Sequence, residues 1–418
     1  MSRIAVPPAA DPVVISGIGL MTPLGADRET TWKRLLVGDR GIVPLTARDL
    51  YPGTTVEAAP TQWIGGPVPW PEHCRTELQA GLDPVLVLTR AVAAEALADA
   101  RISPAELADP RCGCVFGTSK GGLHTVDRLR GNAADASPFG ELWPSNAATQ
   151  LVRDYGLTGP SLAPVAACAT GLVALLQAAA LIRQGECDLV LAGSADYSLH
   201  PLVLASFQRL GVLARGEPPH SASRPFDRRR SGFVVGGGAA ACVLERASLA
   251  VRRGAPIYAV IAAGALGADP TGMTSLDVSG QTLAPLIGRV MENAQRVDLV
   301  HLHGTGTRQN DPAECRAVTQ ALGAAQALPP CTSSKGALGH LLGAAGSVEA
   351  ALVCLSLRDQ LIPPAVNLEQ PDPECDLPFV TKNAVPCPLH VVLKLSLGFG
   401  GHQAAALFAR WPGLASQT

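Results

Sequence analysis

Hydrophobic and polar residues along the chain fall into short apolar blocks set apart by glycine- and proline-rich punctuation. The β-branched run at 13–18, broken by Gly17 and followed by Gly19, predicts a buried strand. A turn at Thr22, Pro23 and Gly25 leads into a helix over 27–37, with Asp27 as its N-cap. Residues 38–82 lack clear periodicity and predict irregular structure, and a helical pattern returns over 84–100. CGCVFGTSKGG, 112–122, reads as a strand running into a Gly/Ser/Thr turn. Residues 131–144 read as loop, and 146–155 as a helix ending at Gly156. CDLVLAGSAD, 187–196, is a buried strand, and 223–245 supplies an arginine-rich loop followed by another. The triple glycine 236–238 lacks the spacing of a dinucleotide loop and predicts close backbone packing.

The block around which the others are organised is AACATGLVALLQAAALI, 166–182. Pro160 and Pro164 punctuate its approach, Thr170 and Gly171 suit a first turn, and the helix that follows is apolar on all sides, so it must be buried. Unpaired N–H groups at its start favour an anion, so Cys168 reads as a thiolate nucleophile with a lowered pKa. The competing reading is a small core cysteine. The second half echoes the first: DLVHLHG at 298–304 resembles DLVLAG at 188–193, and GSVEAALVCLSL at 346–357 resembles GLVALLQAAALI at 171–182. The echoes predict a duplicated α/β unit with two mostly parallel sheets.

Composition narrows the functional classes. The chain has 418 residues, enough for two or three domains, but only 16% are charged against roughly 25% in an average chain, as in a thick or oligomeric body. A net charge of −2 leaves no footprint for nucleic acid. Eleven scattered cysteines suit reduced, intracellular thiols, and the close pair Cys112 and Cys114 lacks the further ligands of a zinc site. Prolines interrupt the start where a signal peptide needs its apolar core, and no apolar run reaches a membrane span. These features predict a soluble, cytoplasmic protein that does not engage a membrane.

Chemistry-bearing residues gather in three later loops. In LHGTGTRQNDPAE, His301 and His303 share one strand face. A metal pair lacks a matching third ligand, and His303, at the strand tip, is the better catalytic candidate. SSKGALGHLLGAAG brings His340, a catalytic residue or a hydrogen-bonded core histidine, and Lys335, for which Glu314 is the nearest carboxylate partner. LKLSLGFGGHQ is a strand entering a glycine-rich turn whose N–H groups suit an oxyanion.

GPSLAPVAACATG, PFDRRRSGFVVGGGAA and these three segments occur in the order seen in elongating β-ketoacyl-ACP synthases, and VVISGIGLMTPLG resembles that family's first strand and turn. The resemblance spans about residues 12–410. It implies the thiolase fold, an α/β architecture of two similar halves in αβαβα layers: a flexible lead at 1–11, an N-terminal half with insertions at 12–256, a C-terminal half at 257–410 and a tail at 411–418. It implies decarboxylative condensation of malonyl-ACP with a cysteine-bound acyl chain, in fatty acid or type II polyketide synthesis. Cys168 would accept the acyl group, His303 and His340 would form the histidine pair, and Lys335 and Glu314 would support it. Thr305 and Thr307 would touch the phosphopantetheine arm. Phe399 would gate the site, its N–H joining that of Cys168 in the oxyanion hole. No cofactor would be bound, since phosphopantetheine arrives on the acyl carrier protein, and the chain would act as a homodimer or beside a related ketosynthase-like subunit. A thiolase would need a second cysteine in LSLGFGGHQ, and the priming type a His/Asn pair; neither is present. The second function considered is an inert chain-length subunit, which typically lacks the cysteine. Departures are Ala166, Ser231, Leu395 and Leu397, the last two predicting an unusual acyl preference.

Overall fold

The computed structural model describes residues 11–54, 59–131, 137–215, 218–292, 294–323 and 327–412. The expected lead, apart from residue 11, and the end of the tail lie outside them. The first half runs β1 (Val13–Met21), α1 (Arg28–Leu36), α2 (Pro84–Asp99), β2 (Cys112–Gly117), α3 (Asn146–Tyr155), β3 (Ser161–Leu162), α4 (Thr170–Arg183), β4 (Leu189–Asp196) and β5 (Gly238–Arg246). The second runs β6 (Ala259–Ala268), α5 (Leu283–Met291), β7 (Leu299–His301), α6 (Asn310–Leu322), β8 (Cys331–Thr332), α7 (Ala345–Asp359), β9 (Val391–Gly398) and β10 (His402–Ala409).

Local chemistry sets the helix ends. Asp27 caps α1 by accepting from the Thr30 N–H at 2.8 Å, Asp83 caps α2 behind Pro84, and Gly156 ends α3 in the left-handed region. Residues 38–82 hold more order than their composition predicts: a hairpin of Val43–Thr46 with Pro60–Gly65, and a helix at Glu72–Gln79. A further helix, Leu123–Gly131, also escaped the periodicity. These pieces are short and amphipathic only where they meet the core, as Cys74 and Leu78 do.

The strands join in the order β8-β7-β9-β10-β6-β1-β5-β4-β2-β3. In each half the third strand pairs parallel with the second and the second with the fourth, whereas the fifth is antiparallel to both the fourth and the first. Each half is therefore mostly parallel, as expected: four strands run one way, and only the fifth, which doubles back, opposes them. The halves meet where Val14 and Ile15 of β1 pair with Val260 and Ala259 of β6.

Helices α4 and α7 pack together between the two halves of this sheet, which explains why both are apolar all round. Strand alternation sorts the neighbours. Ala240, Cys242 and Leu244 of β5, with Ala404, Ala406 and Phe408 of β10, face that central pair. Ala239, Ala241 and Val243 face the layer containing α2 and α3, and Ala405 and Leu407 face α5 and α6. The result is a five-layer αβαβα thiolase fold. The triple glycine serves close packing, since a side chain on Gly236 or Gly238 would fall within 2.7 Å of a backbone oxygen.

Candidate active site

After β3 the chain turns through Ala167, held at φ +47°, into a single 3₁₀ turn, Ala167–Ala169, that continues as α4. A non-glycine residue there is strained, and Thr170 holds the turn in place. Its Oγ1 accepts from the Ala166 N–H at 2.9 Å and donates to the Ala167 carbonyl at 2.7 Å. Cys168 thus stands at an elbow ahead of α4, only 9% exposed, on the wall of a cavity of about 400 Å³. The expectation of a lowered thiol pKa is reversed. Burial pushes Cys168 up to about 11, and the opposing pull of Lys120 and Lys335 does not cancel it. At rest the group is a thiol.

His303, His340, Thr305, Thr307 and Phe399 line the same cavity. The two imidazole centroids lie 5.3 Å apart with the rings at 82°, and His340 meets the Phe233 ring edge-on at 5.2 Å. His340 is held through its backbone, which donates to the Val234 carbonyl at 2.7 Å. Behind His303, the Lys335 ammonium lies 3.3 Å from Nδ1 and also donates to the His303 carbonyl. An ammonium can only donate, so Nδ1 accepts and the ring proton sits on Nε2. Burial first, then the Lys335 charge, holds both histidines well below the usual imidazole range, so they are neutral donors.

The expected pairing of Lys335 with Glu314 does not occur. Lys335 binds Glu349 of α7, whose other oxygen lies 2.8 Å from Lys394 Nζ of β9. Burial opposes ionisation of Glu349, but the two ammonium groups outweigh it and hold the carboxyl at about 2. Glu314 instead shapes the loop after β7, accepting from the N–H groups of His303 and Gly304 and from Asn310 Nδ2. Asp311 does the same for Gly306 at 3.1 Å, and the Thr305 and Thr307 hydroxyls meet at 3.0 Å. His301 does not line the cavity. It is 1% exposed, neither ring nitrogen has a hydrogen-bond partner, and burial followed by the Lys394 charge lowers it to about 3. Among the described residues no group of three or more His, Cys, Asp or Glu is placed to hold a metal ion.

Phe399 begins the turn between β9 and β10, and its backbone N–H bears on the Cys168 sulfur in the sense that favours the anion. Gly398 permits that approach, since a Cβ there would lie 2.7 Å from the Ala166 carbonyl oxygen and 3.0 Å from the Cys168 nitrogen. Leu397 lines the cavity, whereas Leu395 is buried in the core beside α5 and α6, so only the former can influence a ligand. Glu349, Lys394 and Lys120 are the charges bearing on the site that sequence reasoning missed. The first two stand alone among apolar neighbours in VEAALVCLSL and VVLKLSLG, a pattern that by itself demands a buried partner.

Residues 10–250 match the family model for the β-ketoacyl synthase N-terminal domain, and 258–369 that for its C-terminal domain. The tetracenomycin polyketide synthase ketoacyl synthase alpha subunit of Streptomyces glaucescens is 34% identical, over 95% of this chain and 97% of its own. A 3-oxoacyl-[acyl-carrier-protein] synthase 2 of Coxiella burnetii is 32% identical, over 95% of this chain and 98% of its own. Among solved structures, a type II polyketide ketosynthase in complex with its acyl-carrier protein superposes with a TM-score of 0.85 at 28% identity, covering 96% of this chain and all of the other. The ishigamide ketosynthase/chain length factor gives 0.84 at 26%, with the same coverage.

Proposed function

The chain belongs to the β-ketoacyl synthase family, an acyltransferase that forms carbon–carbon bonds, and from that premise we propose how its residues divide the work. Cys168 takes the acyl group from an acyl carrier protein. Its sulfur bonds the thioester carbon, the bond to the carrier's thiol breaks, and the thiol proton ends on the departing sulfur. The N–H groups of Cys168 and Phe399 would hold the tetrahedral oxyanion. Malonyl-carrier then loses carbon dioxide while the Nε2–H of His303 and the ring of His340 stabilise the enolate oxygen. Neutrality matters here, because a fixed N–H dipole favours the developing charge without giving up its proton. The new carbanion attacks the acyl-cysteine, and the released thiolate regains a proton, as its burial favours.

Thr305 and Thr307 would meet the phosphopantetheine arm, and the half-exposed Phe399 ring would gate the mouth of the cavity. We place the division between the halves at 256/257 and the protein in the cytoplasm. The described residues include no helix long and apolar enough to cross a membrane. The product is a β-ketoacyl chain two carbons longer, in fatty acid or type II polyketide synthesis. The chain would work as a homodimer or beside a related ketosynthase-like subunit. The inert-subunit alternative gains no support, because Cys168 is present and opens on the histidine cavity.

The observation that carries this reading is the convergence of one thiol and two neutral imidazoles on a single cavity, one imidazole having its tautomer set by a lysine. Intact mass spectrometry after incubation with an acyl carrier should show one acyl adduct on Cys168, absent in C168A. His303→Ala should still accept the acyl group yet release carbon dioxide from malonyl-carrier at least about 100-fold more slowly. An adduct that survives in C168A, or undiminished decarboxylation in H303A, would overturn the assignment.

A further inference from the structure

Strand β9 is apolar along its buried length except for Ser396 and Lys394, whose side chain is wholly enclosed. The Lys394 ammonium lies 2.8 Å from Glu349 Oε2 and also donates to the Leu395 carbonyl, while Lys335 occupies Glu349 Oε1. One carboxylate, 2% exposed, therefore bridges two buried cations. The Lys335–Glu349 pair is already neutral by itself. A second enclosed ammonium has only the shared Glu349 and the field of Glu314 to offset it; burial lowers its pKa, a cost that an apolar residue on β9 would not carry. The Lys394 ammonium is not on the cavity wall, so its effect on the site runs through Glu349 and Lys335.

Resting on the reading above, we infer that Lys394 is a positioning residue of the condensation site: it grips the second oxygen of Glu349, which locks Lys335 against His303 Nδ1 and so presents His303 Nε2–H to the cavity. A carboxylate with an ammonium against each oxygen is restrained by charge, the Oε2 contact being an ion pair rather than an aligned hydrogen bond, and Lys335 then has one geometry rather than several. The cation also acts through its field. Lys394 adds to the charges that disfavour imidazolium at His303 and His340, after burial and Lys335. The other ionisable groups bearing on this pair are Glu349 of α7, Glu314 and Asp311 of α6, and His301 of β7, the register partner of Lys394. Cys168 at the elbow, with Lys120 and Asp196 at the ends of β2 and β4, completes the set.

The test compares full-length wild type, Lys394→Met and Lys394→Gln in two half-reactions: acylation of Cys168 by acyl carrier, and release of carbon dioxide from malonyl-carrier across pH. K394M should slow decarboxylation by about tenfold to a hundredfold, as a small misplacement of a reacting group does, and by clearly more than it slows acylation. Its acid limb should move to higher pH, because removing a cation makes the imidazoles easier to protonate. K394Q keeps a donor for Glu349 without the charge, so it should recover most of the rate but not the acid limb. The inference fails if both variants match wild type, or if the two half-reactions fall together with the acid limb unmoved. Should K394M not fold, the acid limb of K394Q decides alone. If instead wild type itself neither acylates nor decarboxylates, the fault lies with the parent reading and not with Lys394.

Discussion

A thiol shut away from water resists ionisation, and at Cys168 this outweighs the two lysines that favour the anion. The group is therefore held as the thiol. Below its pKa a thiol's ionised fraction rises about tenfold per pH unit, and a free cysteine levels off above about 8.5. Alkylation of Cys168 by iodoacetamide, followed by peptide mass mapping, should keep rising steeply through pH 9.5; a rate that levels off by about pH 9, as for a free cysteine, would refute the burial argument. The same residue shows what could and could not be read from the chain. Cys168, His303 and His340 announce themselves through their glycine-rich settings. Their ionisation does not, because it depends on Lys120, Lys335 and the closure of the cavity. The exchange of Glu314 for Glu349 has a similar cause. Glu314, near the start of α6, is the nearer along the chain to His303, but its oxygens are taken by backbone N–H groups, which leaves Glu349 of α7 for Lys335.

At the scale of elements, the two echoed helices explain how the halves are locked. The elbow before α4 recurs before α7. Leu342 repeats the φ of Ala167 at +47°, and a 3₁₀ turn, Leu342–Ala344, again precedes the helix. In this repeat Gly343 stands where the first half has Cys168, so one elbow carries the thiol and the other donates an N–H to Asp196 at 3.1 Å. The echoed glycines meet. A Cβ on Gly171 would lie 2.2 Å from the Ser347 nitrogen, and one on Gly346 would lie 2.3 Å from the Leu172 nitrogen. Backbone against backbone leaves nothing flexible to yield, so Gly171→Ala should cost about 3 kcal/mol in urea unfolding, the upper range for overpacking. It should also slow acylation by displacing Cys168. A loss below about 0.5 kcal/mol, typical of a neutral surface change, would mean that the helices are free to part. Long helices and central strands were legible because burial imposed a period on them. The closing antiparallel strands β5 and β10 were not seen as such, because alternation cannot state direction, and residues 38–82 hid short elements that take their order from the core they cover.

At the scale of the whole molecule, the continuous sheet has two ends, and they are treated differently. At one end the outer edge of β8 is covered: the Cys331 N–H donates to the Pro378 carbonyl, and the Val380 N–H to that of Cys331. At the other end β3 has its inner edge paired with β2, and both of its residues are exposed. An open edge is a template for another strand, and here it is flanked by apolar side chains: Leu162 is 40% exposed, Val165 50%, Phe139 53% and Trp143 55%. Helix α3 touches both the β3 strand and the turn that carries Phe139, so strand and aromatics form one end face. The low charge of the chain fits a body that hides such a face against a second one. Light scattering of the purified chain at tens of micromolar should therefore give twice its 43.1 kDa mass, and Leu162→Asp, which puts a charge on the edge, should lower it toward one. If L162D leaves a doubled mass untouched, association does not run through β3; if wild type remains at the single-chain mass, the chain does not pair with itself there. Because β2 and the elbow of Cys168 adjoin this edge, pairing there would also brace the turn that aims the thiol, and L162D should lose acylation in step with mass.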